Sequence, residues 1–218
     1  TEATGKGAVF SFGRFNPPTT GHAKLVNKLQ SVSGGYTPLV FTSHSNDKVK
    51  NPLSHVDKIK FLRQFFGKII VDTAARTVFD IAVELERQGY KKIKMVVGSD
   101  RVREFDMLLK KYNGVKARHG YYKFDQIEIV SAGERDPDAD DTSGMSASKM
   151  RQYAEDGDFD NFKDGVPSTN KAQQKQLYNA VRRGMGLTEG TLPFYMQTDI
   201  QEDELQEGVY DQGIFKAL

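Results

Sequence analysis

The sequence predicts an α/β fold: a doubly wound, parallel, five-stranded sheet with a C-terminal helical extension. Three observations carry this. Short apolar runs alternate with amphipathic stretches over the first 130 residues. The stretches between strands are roughly 10–15 residues long, the spacing of parallel βαβ units rather than hairpins. The 218 residues fit one such domain plus an appendage better than two full domains, at ~150 residues each.

The elements follow in order. Gly7–Gly13 (GAVFSFG) reads as a buried strand, then a Pro/Thr turn and a helix from about Gly21 to Ser31. Thr37–Ser43 is the second strand, and Val56–Phe66 a helix opened by Ser54. Lys68–Val71, Ile93–Val97 and Ile127–Val130 are the remaining strands. Helices at Val78–Gln88, ended by Gly89, and at Val102–Tyr112 separate them. Ala132–Gly144 is acidic and turn-rich and reads as a loop. Asp136, Asp138, Asp140 and Asp141 lack the glycine and terminal glutamate of an EF-hand, so a solvated loop is favoured over a calcium site. Helical patterns resume at Ser146–Glu155, Phe159–Lys163 and Thr169–Arg183, the last with Leu177, Tyr178 and Val181 on one face. The expected organisation is an α/β domain over 1–167, a packed helix over 168–188, and an acidic extended tail or connector over 189–218.

Composition narrows the function classes. The protein has 38% hydrophobic and 28% charged residues, which excludes a mostly disordered chain. No apolar run reaches the ~18 residues of a membrane helix, and no signal peptide opens the sequence, so the expected location is cytoplasmic. Without cysteine there is no disulfide framework or thiolate metal site. The formal net charge of +2 hides an asymmetry. Residues 189–218 hold 7 acids and 1 base, so of the 31 bases and 29 acids in total, 30 and 22 fall in the first 188 residues. That leaves a body of +8 suited to phosphate and a tail of −6. A chain that opens on Thr1 suggests a processed product or part of something longer.

The most informative segment is Gly13–His22, GRFNPPTTGH. It leaves the first strand at the sheet edge where doubly wound folds bind ligands. Pro17 and Pro18 stiffen the exit, and Thr20-Gly21 opens a helix whose first-turn amides make an anion site. His22 in that turn can donate a hydrogen bond to a phosphate oxygen, and Thr19 can add a hydroxyl. Alone, Thr-Thr-Gly-His is equally a helix cap followed by a surface histidine; its place after an apolar strand favours function.

This stretch resembles the (His/Thr)-x-Gly-His motif of the nucleotidylyltransferases, with Thr19 first and His22 last. Met145–Arg151 (MSASKMR) resembles that superfamily's Ile-Ser-x-Thr-x-x-Arg motif, with Met145, Ser146, Ser148 and Arg151 at the matching places. Gly13-Arg14-Phe15, Asn51-Pro52-Leu53-Ser54 and the Asp-Gly-Asp-Phe turn at 156–159 are similar to archaeal-type nicotinamide-mononucleotide (NMN) adenylyltransferases. Lys50 departs from that branch's arginine. The likeness spans roughly residues 7–167 but is poor over Val102–Phe124. The combination of the C-terminal helix and tail resembles chains from large tailed bacteriophages, where such a domain can lead into a P-loop kinase; the host cytoplasm would then be the location.

The resemblance implies a Rossmann-like nucleotidylyltransferase moving AMP from ATP onto a phosphorylated small-molecule acceptor such as NMN, with pyrophosphate released. A cytidylyltransferase, and a nucleotide-binding domain without catalysis, are the alternatives. The residues it implies are His22, Thr19 and Arg151 as catalytic. Nucleotide binding would fall to Phe12, Gly13, Arg14, Phe15, Asn16, Gly21, Lys24, Gly98, Asp100, Ser146 and Ser148. Asp100 reads equally as a helix N-cap, Lys24 as an exposed lysine, and His44 as a loop residue; His55 and His119 read as structural. Mg²⁺ is expected on the substrate phosphates, with no dedicated metal ligands. Membrane and nucleic-acid partners are not favoured, and self-association is left open.

Overall fold

β1 (Gly7–Gly13) is apolar on both faces because it is the middle strand of the sheet, covered on each side. The computed structural model describes residues 5–133 and 145–187. Around β1 stand β2 (Thr37–Thr42), β3 (Ile70–Val71), β4 (Lys92–Val97) and β5 (Gln126–Ser131), all parallel, in the order β3-β2-β1-β4-β5. The register places Phe10 beside Leu39 on one flank and Met95 on the other. The strand order reverses at β1, so the turn leaving it lies at the topological switch point.

The period-2 alternation of the strands sorts the core into two layers. Phe10, Ile93 and Met95 point to one face, against Ile81 and Leu85 of α3 (Val78–Arg87) and Leu109 of α4 (Val102–Lys111). Val9, Val40 and Val96 point to the other, against Val26 and Leu29 of α1 (Thr20–Ser31) and Ile59 and Leu62 of α2 (His55–Phe66). A third cluster joins α5 (Ala147–Glu155), α6 (Phe159–Asp164) and α7 (Lys171–Met185) through Met150, Phe162, Leu177, Tyr178 and Val181, packed on Leu53 and Phe61. The C-terminal helices are thus fixed to the segment that opens α2. Among the described residues no helix is long and apolar enough to cross a membrane.

Beyond one-residue shifts at other element ends, three features differ from the sequence expectation. β3 has two residues rather than four, because Gly67 (φ +75°) ends α2 and Gly67–Ile69 form a 3₁₀ turn, leaving only Ile70 and Val71 to pair with Val40 and Phe41. Residues Ser99–Arg101 form a 3₁₀ turn before α4. α7 starts at Lys171 rather than Thr169, since the Asn170 side chain accepts the amides of Ala172 and Gln173 as N-cap, and it runs on to Met185. The acidic loop from 134 to 144, with its aspartates, and the tail from 188 lie outside the described residues.

Candidate active site

α1 begins with a capping box built from the motif itself. Thr19 is the N-cap, and its Oγ1 accepts the His22 amide at 3.3 Å. In return His22 Nδ1 accepts the Thr19 amide at 3.0 Å and lies 3.0 Å from Thr19 Oγ1. Because Nδ1 is an acceptor, the neutral imidazole carries its proton on Nε2. Threonine therefore sets both the ring orientation and the tautomer of His22. The Phe15 ring lies 4.7 Å from the imidazole, centroid to centroid, and fixes its other side.

Phe15 pays for that position with strain. Its φ is +45°, in the left-handed region that bulky residues avoid. It is held there by burial against the α1–α2 face, at 1% exposure. Gly13 makes room for it: a Cβ at residue 13 would lie 3.0 Å from the Phe15 ring. Gly13 and Phe15 together shape the turn.

Asn16, fully inside this turn, reaches across to the start of α2. Its Nδ2 donates to Leu53 O at 3.0 Å, and its Oδ1 accepts the Leu53 amide at 2.8 Å. Arg151 closes the constellation from α5, donating through one guanidinium nitrogen to Asn16 O at 2.8 Å and through the other to Ser148 Oγ at 3.1 Å. Two motifs 135 residues apart in sequence are thereby joined by one side chain. Burial, and then the like charge of Arg14, press the Arg151 pKa below its usual value, while Asp47 opposes this. The Arg14 and Arg151 guanidiniums are close enough to repel each other, which favours an anion beside them. Replacing Asn16 with alanine orphans both backbone groups of Leu53 and should lower unfolding free energy by about 3 kcal/mol, read from urea denaturation.

The remaining expected residues fall as follows. Gly21 is in the first turn of α1, and Lys24 is exposed on that helix. Phe12 packs against the α3–α4 face of the core. Gly98 ends β4, with Asp100 in the 3₁₀ turn beyond it. Asp100 caps no amide there, so the N-cap reading fails; its carboxylate folds back over Gly98, where a Cβ would lie 2.7 Å from its Oδ1. Ser146 is the N-cap of α5 and accepts the Lys149 amide at 3.2 Å. The expectation of several unused amides at the start of α1 is also corrected. Thr20 donates to Gly165 O at 2.9 Å and His22 to Thr19, so two of the first-turn amides are already engaged. His44 stacks on His55 at 3.8 Å and bonds Thr73 O at 2.8 Å; His55 pairs with Asp72, and His119 stacks on Phe79.

Sequence reasoning missed two supports. Gly165 supplies the carbonyl for Thr20 and sits where a Cβ would collide with Met150 and Met145. Lys58 is fully buried under the exit of β2, its ammonium donating to Ser43 O and to Ser45 O at 3.2 Å. The signal was a lysine on the apolar stripe of α2, one turn before Phe61 and Leu62. Burial pushes the Lys58 ammonium down to about 8 from 10.5. The unfolded chain then binds the extra proton between those values, so stability rises with pH across that window. The gain should be on the order of 2 kcal/mol between pH 7.5 and 9.5, and a Lys58→Met variant should lack it in the same urea titrations.

Sheet order and the switch-point turn define a Rossmann-like α/β domain, with both motifs brought to the turn that leaves β1. Residues 10–153 match the cytidylyltransferase-like family, and the chain belongs to that family, within the nucleotidyltransferase superfamily. The matched span runs from β1 through α5 and so contains both motifs. No curated protein matches the chain.

Proposed function

We propose that the protein is an adenylyltransferase that moves AMP from ATP onto a phosphorylated acceptor, NMN being the first candidate. The observation that carries the reading is the bond from Arg151 to Asn16 O, which unites the two phosphate-binding motifs around the oriented His22. An oxygen of the acceptor phosphate attacks the α-phosphorus in line. The bond from that phosphorus to the pyrophosphate oxygen breaks, and a new phosphoanhydride forms.

The residues act by position and charge rather than by covalent chemistry. His22 donates its Nε2 proton in a hydrogen bond to an α-phosphate oxygen as negative charge grows there. Arg14 and Arg151 hold the triphosphate, with Ser146, Ser148 and Lys24 at its margin. Gly98 and Asp100 face the nucleoside side of the switch point. Mg²⁺ would be carried on phosphate oxygens and water, where it would neutralise phosphate charge alongside Arg14 and Arg151.

The NMN type is supported by the residue likenesses at 13–15, 51–54 and 156–159, and a phage source by the sequence resemblance of the C-terminal helix and tail. Incubation with ATP, Mg²⁺ and NMN should release one pyrophosphate for each dinucleotide formed. Nucleotide binding with no pyrophosphate from any triphosphate and acceptor would instead mean a binding domain.

A further inference from the structure

The excursion between α4 and β5 is the part of the chain that the site does not use. Residues 110–123, KKYNGVKARHGYYK, hold five bases and no acid. Its backbone is fixed. Asn113 bonds both the amide and the carbonyl of Phe124, Gly114 donates to Tyr122 O, and Ala117 and Gly120 exchange two bonds at 3.0 and 2.9 Å. Tyr122, wholly buried, anchors it through a 2.8 Å bond to Leu109 O. Lys111, Lys116, Arg118 and Lys123 are all exposed on this frame, and none pairs with a described carboxylate. A rigid scaffold therefore holds four uncompensated cations on one excursion.

We propose that this surface docks the chain's own acidic segment, residues 189–218. That segment carries Glu189, Asp199, Glu202, Asp203, Glu204, Glu207 and Asp211 against Lys216 alone. A tether also places it at millimolar effective concentration, ahead of any untethered acidic partner. At ~3.3 Å per residue, the stretch from Leu187 to Asp199 spans up to roughly 40 Å. The other acidic stretch, 134–144, leaves from the carboxyl end of β5, a strand ~20 Å long whose opposite end receives the excursion.

Two features separate this from a nucleic-acid surface and from a regulator of the active site. Single-stranded nucleic acid needs exposed stacking rings, and Tyr121 is the exposed aromatic here, with Tyr122 turned fully inward. The excursion also enters β5 at the amino edge of the sheet, whereas the β1–α1 turn leaves at the carboxyl edge. Docking there leaves the nucleotide site open.

The test is carbodiimide cross-linking of the full chain at low salt, with mass spectrometry of the monomer band. Tail carboxylates should link to Lys111, Lys116 and Lys123 at least five times more often than to Lys60, Lys91 or Lys175. Links at Lys116 and Lys123 should fall about fivefold in 0.5 M salt, and again in an R118E/K111E variant that keeps both reporting lysines. Even spread over all exposed lysines, or links confined to the dimer band, would overturn the proposal. So would an oligonucleotide that binds the full chain through these residues while the tail stays unlinked.

Discussion

Replacing His22 with alanine should lower kcat at least about 100-fold, a loss of ~2.7 kcal/mol in transition-state stabilisation. The reasoning runs from the capping box outward. Thr19 takes up the Nδ1 side of the ring, so the Nε2 proton is the one offered to substrate. A donor aimed at developing phosphate charge is worth most in the transition state, so kcat should fall more than KM rises. Stability separates this from a fold effect. The helix keeps its Thr19 cap to the residue 22 amide, so Tm should move by only a few degrees. An unchanged kcat with normal folding would remove His22 from the chemistry.

Gly184→Ala should destabilise the protein by about 2 kcal/mol, against the trend for that exchange in a helix. Alanine would ordinarily gain up to ~1 kcal/mol over glycine. Here the new Cβ would lie 2.0 Å from Pro52 O and 2.6 Å from its carbonyl carbon, backbone atoms that cannot rotate away. Overpacking of that kind costs roughly 1–3 kcal/mol or more. For a domain of this size the expected Tm loss is about 4–8 °C by calorimetry. The displacement also has a route to the site. Pro52 precedes Leu53, Leu53 is held by Asn16, and Asn16 O receives Arg151. The KM for the nucleoside triphosphate should therefore rise in the same variant. An increase in Tm would show that α7 is not seated on Pro52 as described.

The contrast between these residues explains what was legible in the sequence. β1 could be read to the residue because burial on both faces writes an apolar run, interrupted only at Ser11 and bounded by glycines. The five parallel strands follow from βαβ spacing, and Thr19 with His22 announces itself as a local motif. β3 could not be sized, because Lys68 and Ile69 are taken into the 3₁₀ turn that follows α2. Asp100 resembled a cap, but the 3₁₀ turn has its N-cap at Gly98 and α4 at Arg101. The links that assemble the site were hidden for a different reason. Asn16 to Leu53 and Arg151 to Asn16 join residues 37 and 135 positions apart, and periodicity carries no information at that range. Lys58 was visible as a charge on an apolar stripe, yet only the fold shows the carbonyls that receive it.

The central claim is transfer of a nucleotidyl group at the α-phosphorus, and positional labelling tests it most directly. With ATP labelled separately at the α and γ phosphates, Mg²⁺ and NMN, the α label should enter the dinucleotide product and the γ label should leave as pyrophosphate. Transfer of the γ label to the acceptor, or its release as orthophosphate with ADP, would contradict the account.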